Sequence, residues 1–264
     1  MKLGILTTVH LKAAASVGLL RLLVDSIRAH VPRSDYDTLL VVDDCSPNGQ
    51  EYLDWLVSSG TAAVYRLGSP RQAFSVTKNK SGAYDPSAPV SYGHAPGLMA
   101  GFYALRQRGC THAWVIDADC VVLSDNILRE PLEAFRDGLV AVATDYFGGT
   151  VGSGVVDRFY DLSLNTSRAS FDCRAAMALY GFPCLFCAIV DLNIEPRFGA
   201  MWNAGWVNSR WGQRLFRQGY RVAYFPFFRG RHVFHLGFGH TRFNAQLEAQ
   251  TFGNAVETGR YGGK

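Results

Sequence analysis

Asp117-Ala118-Asp119 stands at the end of the apolar run Ala113-Trp114-Val115-Ile116 and is followed at once by Cys120-Val121-Val122. Two carboxylates one residue apart, where a buried strand runs out into a loop, offer hard oxygen ligands to a divalent cation and, through it, to a diphosphate. Mg²⁺ and Mn²⁺ accept such ligands and keep open positions for phosphate oxygens. A second acidic pair, Asp43-Asp44, closes the run from Tyr36 to Val42 and precedes Ser46-Pro47-Asn48-Gly49. These residue types also suit a strand-end turn through local hydrogen bonds. Asp44 is the stronger functional candidate of the pair, and Asp43 the stronger turn former. His232, His235 and His240 add imidazoles, and Phe234 and Leu236 flank His235 as they would on a strand end facing a cleft. The glycine-rich stretch from Gly148 to Gly154 reads as a surface loop ahead of a phosphate cradle.

Strands must hold these groups, and the apolar spacing supplies them. Leu3 to Thr8 is a short apolar run, and Ala13 to Arg28 carries Val17, Leu20, Val24 and Ile27 at helical spacing. Strand Tyr36 to Val42, helix Gln50 to Val57 and strand Ala62 to Arg66 follow, then a breaker-rich segment from Gly68 to Gly93. Helix Ala95 to Arg108 leads into the strand that ends at Asp117. Such alternation predicts an α/β domain with a parallel sheet and helices on its faces. Ligands bind beyond the carboxyl ends of the strands in such sheets, and Asp43, Asp44, Asp117 and Asp119 all fall there. In the second half, Ile127 to Phe135 reads as a helix, Leu139 to Ala143 as a strand, Met201 to Arg217 as a helix and Arg221 to Phe225 as a strand. Asn244 to Val256 reads as a last helix. No internal repeat or linker divides the chain, so one domain spanning 1–264 is expected.

The chain has 264 residues, 48% of them hydrophobic, enough for a substantial core. Its net charge of +4 falls short of the concentrated basic face that nucleic-acid binding requires. The first residues run straight into a strand without the layout of a signal peptide, and no apolar stretch approaches the roughly 20 residues of a membrane span. A cytoplasmic protein without an integral membrane segment is expected. Of the six cysteines only Cys184 and Cys187 lie close together. A single Cys-x-x-Cys without a second pair reads as reduced, half-buried thiols ahead of a zinc site.

Read together, the motifs resemble glycosyltransferase family 2, whose members have the GT-A fold. Val41-Val42-Asp43-Asp44-Cys45-Ser46 is similar to that family's Val-Asp-Asp-x-Ser signature. Gly101-Phe102-Tyr103-Ala104-Leu105, Gly109 and Trp114-Val115-Ile116-Asp117-Ala118-Asp119 resemble the helix and strand that carry its metal motif. Arg214-Leu215 and Gly219-Tyr220-Arg221-Val222 resemble elements of its acceptor half, and His235 sits where these enzymes often have a metal-binding histidine. The match runs over most of residues 1 to 240.

The resemblance implies a single GT-A domain with a mixed, mainly parallel central sheet flanked by helices. Its nucleotide-sugar-binding half would be 1–123, its acceptor half 124–240, and 241–264 a C-terminal helix and tail. It implies transfer of a hexose or pentose from a nucleotide diphosphate donor, a UDP-sugar by default, to a small-molecule or glycan acceptor. Mn²⁺ or Mg²⁺ would bridge the diphosphate. Position by position, Asp44 would hydrogen-bond the nucleobase, and Thr7 and Thr8 would line the nucleoside pocket. Asp119 would bind the metal directly, Asp117 would touch the ribose or the metal through water, and His235 would complete the coordination sphere.

The sequence also departs from the family pattern. Inverting members place a Glu-Asp pair before the Arg-Leu element, the Asp serving as general base; Val207 and Asn208 stand there instead. Asp191, Glu195 and Asp145 are the available replacements, with Asp191 the first candidate. Met99 replaces an Asn that many relatives carry two residues before the glycine matched by Gly101. Arg71, Lys78, Lys80 and Arg242 are basic residues near the expected diphosphate, solvated loop charge being their default reading. The segment Gly68 to Gly93 is a candidate lid, and Trp202 and Trp206 are candidate acceptor contacts. Two rival readings are a nucleotidyltransferase, which lacks its expected glycine-rich basic loop at Thr7 to Lys12, and a sugar-nucleotide-binding protein that has lost its base.

Overall fold

The structure is a computed structural model that describes residues 1–68, 94–125, 127–135, 139–144, 160–161, 184–194, 220–225, 227 and 232–235. Its first half carries β1 (Leu3–Val9), α1 (Ala14–His30), a 3-10 turn (Arg33–Asp35), β2 (Thr38–Asp43), α2 (Gln50–Ser58), β3 (Ala63–Arg66), α3 (His94–Gln107) and β4 (His112–Ile116). Then follow β5 (Cys120–Val122), α4 (Arg129–Ala134), β6 (Leu139–Thr144), β7 (Tyr160–Asp161), β8 (Cys184–Asp191), β9 (Arg221–Tyr224) and β10 (Val233–His235).

Among the described residues eight strands form one sheet in the order β3-β2-β1-β4-β8-β6-β9-β7, while β5 and β10 make a separate antiparallel pair. Strands β3, β2, β1 and β4 are mutually parallel, and β6 is parallel to β9. Strand β8 is antiparallel to both β4 and β6, so those two point the same way. The sheet is mixed and mainly parallel, as expected, and the carboxyl ends of β1, β2, β4, β6 and β9 share one edge.

Strand β1 is buried at six of its seven positions, which is why its sequence shows a continuous apolar run instead of alternation. Its side chains still divide by parity. Ile5 and Val9 join Leu39, Val41, Trp114 and Ile116 in the core layer that α1 covers with Leu20, Leu23, Val24 and Ile27. Leu6 joins Leu40, Val42, Ala113 and Val115 in the opposite layer, covered by Leu98, Phe102 and Leu105 of α3. Helix α3 lies close on β1 because its contact stripe is small. A Cβ on Gly97 would stand 3.1 Å from Thr8 Cγ2, and one on Gly101 would stand 2.4 Å from Leu6 Cδ1. At the next level the sizes reverse: a Cβ on Gly4 of β1 would meet Leu105 Cδ2 at 2.5 Å.

The expected elements of the first half appear with their ends moved by one or two residues, and the helix expected over Ile127 to Phe135 shortens to Arg129–Ala134. Strand β8, central in the sheet, was not expected. Its run Cys184-Leu185-Phe186-Cys187-Ala188-Ile189-Val190 lacks the alternation that marks a half-exposed strand, and Cys187, Ala188, Ile189 and Val190 are all buried. Cys187 is fully buried, not half-buried, and its Sγ accepts a hydrogen bond from Trp114 Nε1 at 3.3 Å. The helices expected over Met201 to Arg217 and Asn244 to Val256, and the glycine-rich stretch from Gly148 to Gly154, lie outside the described residues, as does nearly all of the Gly68 to Gly93 segment. Among the described residues no helix is long and apolar enough to cross a membrane.

Candidate functional site

At the shared carboxyl edge, the loops after β1 and β2 are laced together. Asp44 N–H donates to Val9 O at 2.8 Å, Leu11 N–H to Ser46 Oγ at 2.7 Å, and Asn48 N–H to Leu11 O at 3.1 Å. His10 Nδ1 lies 2.7 Å from the Asp44 carbonyl; that oxygen only accepts, so Nδ1 carries the proton. Cys45 takes the left-handed conformation at φ 55°, which turns the chain sharply after the acidic pair. The two aspartates differ in what they contact. Asp43 Oδ1 accepts from Ser46 N–H at 3.0 Å and closes the turn, while Asp44 is held at its tip, 4% exposed.

Thr7 and Thr8 part company. Successive strand residues face opposite sides, so Thr8 meets α3 at Gly97 while Thr7 turns toward the α1 layer and has no solvent exposure. Thr7 Oγ1 is buried and has no hydrogen-bond partner among the described residues. Of the two, Thr8 keeps partial exposure.

Asp117 to Asp119 turn the chain from β4 into β5, with Cys120 N–H donating to Asp117 O at 3.0 Å. Strand β5 is fixed on one side by α1: Val122 N–H donates to Ser26 Oγ at 3.0 Å, and Ser26 Oγ donates to Leu23 O at 2.8 Å. On its other side β10 pairs with it, and His235 falls directly opposite Cys120. This register swings His235 onto the carboxylates. Its Nε2 lies 3.2 Å from Asp119 Oδ1 and 4.0 Å from Asp117 Oδ2. Together with Cys120, whose thiol belongs to the same cluster, these are groups from two chain segments more than a hundred residues apart.

The electrostatics of this cluster reflect excess buried negative charge. Burial, and then the charge of Asp119, push the Asp117 carboxyl well above its usual range, with His235 opposing them. Burial alone would depress His235, but the hydrogen bond and charge of Asp119, with the charge of Asp117, outweigh it and raise the imidazole. The Cys120 thiol is driven well up by burial and by both carboxylates. A dication reverses each of these penalties. Two carboxylates and an imidazole nitrogen at these separations could hold a divalent cation, the carboxylates suiting Mn²⁺ or Mg²⁺.

Asp191 does not join the cluster. It pairs with His112 at the amino-terminal end of β4, because β8 runs antiparallel, and so lies at the opposite edge of the sheet, a strand length or roughly 17 Å from Asp117. Its Oδ1 accepts hydrogen bonds from Asn193 N–H and Nδ2 at 2.8 and 2.9 Å, a turn-forming role. The expectation of a base there is corrected. Strand direction, which no local pattern in β8 states, decides the edge on which a residue emerges. Cys120 is a further residue of the cluster, signalled in the sequence only by its place beside Asp119. His232 packs its ring 5.2 Å from that of Phe225. Asp145, Glu195, Val207, Asn208, Trp202, Trp206, Arg71, Lys78, Lys80, Arg242 and His240 lie outside the described residues.

No protein-family model matches the chain, and no curated protein matches it. Solved structures do. S. aureus TarS 1-349 in complex with UDP-GlcNAc is similar at 13% identity, with 86% of this chain and 56% of that one covered and a TM-score of 0.55. The mannosyltransferase PcManGT from Pyrobaculum calidifontis, in complex with GDP-Man and Mn²⁺, is similar at 16% identity, with 97% of this chain and 64% of that one covered and a TM-score of 0.53. The chain thus spans less than two thirds of the length of these structures. At such identities the likeness establishes architecture, and the architecture is the GT-A fold of glycosyltransferases, with Asp117 and Asp119 beyond the end of its fourth strand.

Proposed function

We propose that this chain is a metal-dependent glycosyltransferase that moves a hexose or pentose from a nucleotide diphosphate donor to a small-molecule or glycan acceptor. The observation that carries the reading is the placement of His235 Nε2 3.2 Å from Asp119 Oδ1, with Asp117 beside them, at the carboxyl edge of a GT-A sheet. Asp119 and His235 would hold Mn²⁺ or Mg²⁺, and Asp117 would touch the ribose or the metal through water. Asp44, fixed at the tip of its turn, accepts from the nucleobase, with Thr8 beside the nucleoside. When bound, the dication neutralises the diphosphate and stabilises the negative charge that develops as it leaves.

The chain's own work is positioning. The laced loops after β1 and β2 tie down the backbone of Asp44, and the pairing of β10 with β5 holds His235 against Asp119, so the donor would meet a preformed site. Activation of the acceptor needs a base at the same edge. Strand β6 runs parallel to β4 and leaves the sheet there at Thr144, with Asp145 the next residue; Asp145 therefore replaces Asp191 as the proposed base.

The neighbours' complexes with UDP-GlcNAc and GDP-Man differ in base, so a UDP-sugar is the first donor to test rather than the only one. A thermal-shift screen of nucleotide sugars with and without Mn²⁺ tests the reading. Stabilisation that needs ion and nucleotide together, and is lost in Asp119→Ala, is the expected result. Failure of Mn²⁺ to strengthen binding of any common nucleotide diphosphate would sink it. Nucleotide binding with neither transfer nor donor hydrolysis would point instead to a binding protein that has lost its base.

A further inference from the structure

Cys120 has no part in the reading above, yet its sulfur belongs to the same constellation. One Asp119 oxygen, the Cys120 Sγ and one His235 ring nitrogen all lie within 4.8 Å of one another. The backbone explains why. Cys120 and His235 are directly opposed residues of an antiparallel pair, and opposed side chains project from the same face. Asp119 precedes Cys120 in the turn, and Asp117 Oδ2 lies 4.0 Å from His235 Nε2.

We propose that Cys120 is a metal ligand of this site, so that the cluster Asp119, Cys120 and His235 takes a thiophilic ion of the zinc class in addition to the hard ion of the transfer reaction. This rests on the metal site of the proposed function. Zinc takes Cys, His and carboxylate ligands at about 2.3, 2.0–2.1 and 2.0–2.2 Å, which places ligand atoms of a tetrahedral site roughly 3.3–3.6 Å apart. The Asp119 to His235 separation of 3.2 Å already matches, and the sulfur needs only a small displacement. On binding, the Cys120 S–H bond breaks, its proton passes to solvent and a sulfur–metal bond forms.

The choice of ion follows from the donors. Thiolate favours zinc over manganese, and zinc stands above manganese for nitrogen and oxygen ligands as well. Held by these three residues, a tetrahedral zinc ion keeps one further position. That is fewer than the open positions a six-coordinate Mn²⁺ on Asp119 and His235 would offer to diphosphate oxygens. Zinc-class ions would therefore compete with Mn²⁺ and arrest the site.

Reduced protein is titrated under argon with Co²⁺, a spectroscopic substitute for zinc, and then with Zn²⁺ and Mn²⁺ in competition. The expected result is a near-ultraviolet thiolate-to-cobalt charge-transfer band that Zn²⁺ abolishes and that is missing from Cys120→Ser, Cys120→Ala and Asp119→Ala. The ratio of Zn²⁺ to Mn²⁺ affinity should fall in the Cys120 variants by more than the roughly 10–100-fold that loss of an outer-shell partner costs. Absence of the band from the wild-type protein, which needs no variant to fold, overturns the proposal, as does an unchanged affinity ratio. If Mn²⁺ binds at Asp119 without such a band, only the ligation by Cys120 is wrong. If neither ion binds, the metal reading of the proposed function falls with it.

Discussion

A carboxylate's role in this protein is decided by what its oxygens face. Asp43 spends an oxygen on the Ser46 N–H, Asp191 spends one on Asn193, and Asp119 faces His235. The proposed roles follow the same logic and can be separated by substitution. Asp145→Asn removes the proposed base and should lower kcat by roughly 10²–10⁴-fold while donor affinity holds. Asp191→Asn, at the far edge of the sheet, should leave kcat unchanged. Both are measured with the nucleotide sugar that the thermal-shift screen selects, followed as transfer or as hydrolysis. A loss of kcat in Asp191→Asn with none in Asp145→Asn would reverse the assignment.

At the scale of elements, the approach of α3 to β1 brings the helix down beside the strand whose end lines the site. Gly101→Ala puts a Cβ 2.4 Å from Leu6 Cδ1, and Leu6 has no exposure and so little room to turn aside. The expected cost is about 1–3 kcal/mol of overpacking. Gly18 lies within α1, and a Cβ there meets nothing within 4 Å. Gly18→Ala should instead stabilise the protein by roughly 0.5–1 kcal/mol through helix propensity alone. Urea denaturation of both variants compares them directly, and equal effects would show that the close helix-strand contact is not limiting.

Across the whole molecule, the two edges of the sheet carry different chemistry. At the edge away from the site, burial holds the His112 imidazole below its ordinary range, with Asp191 opposing; its ring packs edge-on to Phe135 at 4.8 Å. The folded state therefore binds fewer protons there than the unfolded chain. Its stabilising contribution is complete above the unfolded value near 6.5 and is lost as pH falls through that value toward the lower folded one. Asp117 and His235, both raised, act in the opposite sense over this window, so the contribution of His112 is read as a difference: between about pH 7 and pH 5 the wild-type melting temperature should fall relative to that of His112→Gln. An unaltered slope in the variant would assign the acid sensitivity to other groups.

The strands and helices of the first half are legible in the chain because each is a local pattern. The run into Asp117 and the spacing of Leu20, Val24 and Ile27 are set by neighbours within a few residues. So too is the division of labour between Asp43 and Asp44, since the turn that uses Asp43 closes three residues later at Ser46. Strand direction is not local. Whether Asp191 emerges beside Asp117 or a strand length away depends on β8 entering the sheet antiparallel between β4 and β6, and no pattern within its own apolar residues states that. Only the tertiary structure decides it, because hydrogen bonding between distant strands selects the partner and the direction. Interstrand pairing of β10 with β5 likewise places His235 and Cys120 on one face and turns two separate motifs into one cluster of side chains.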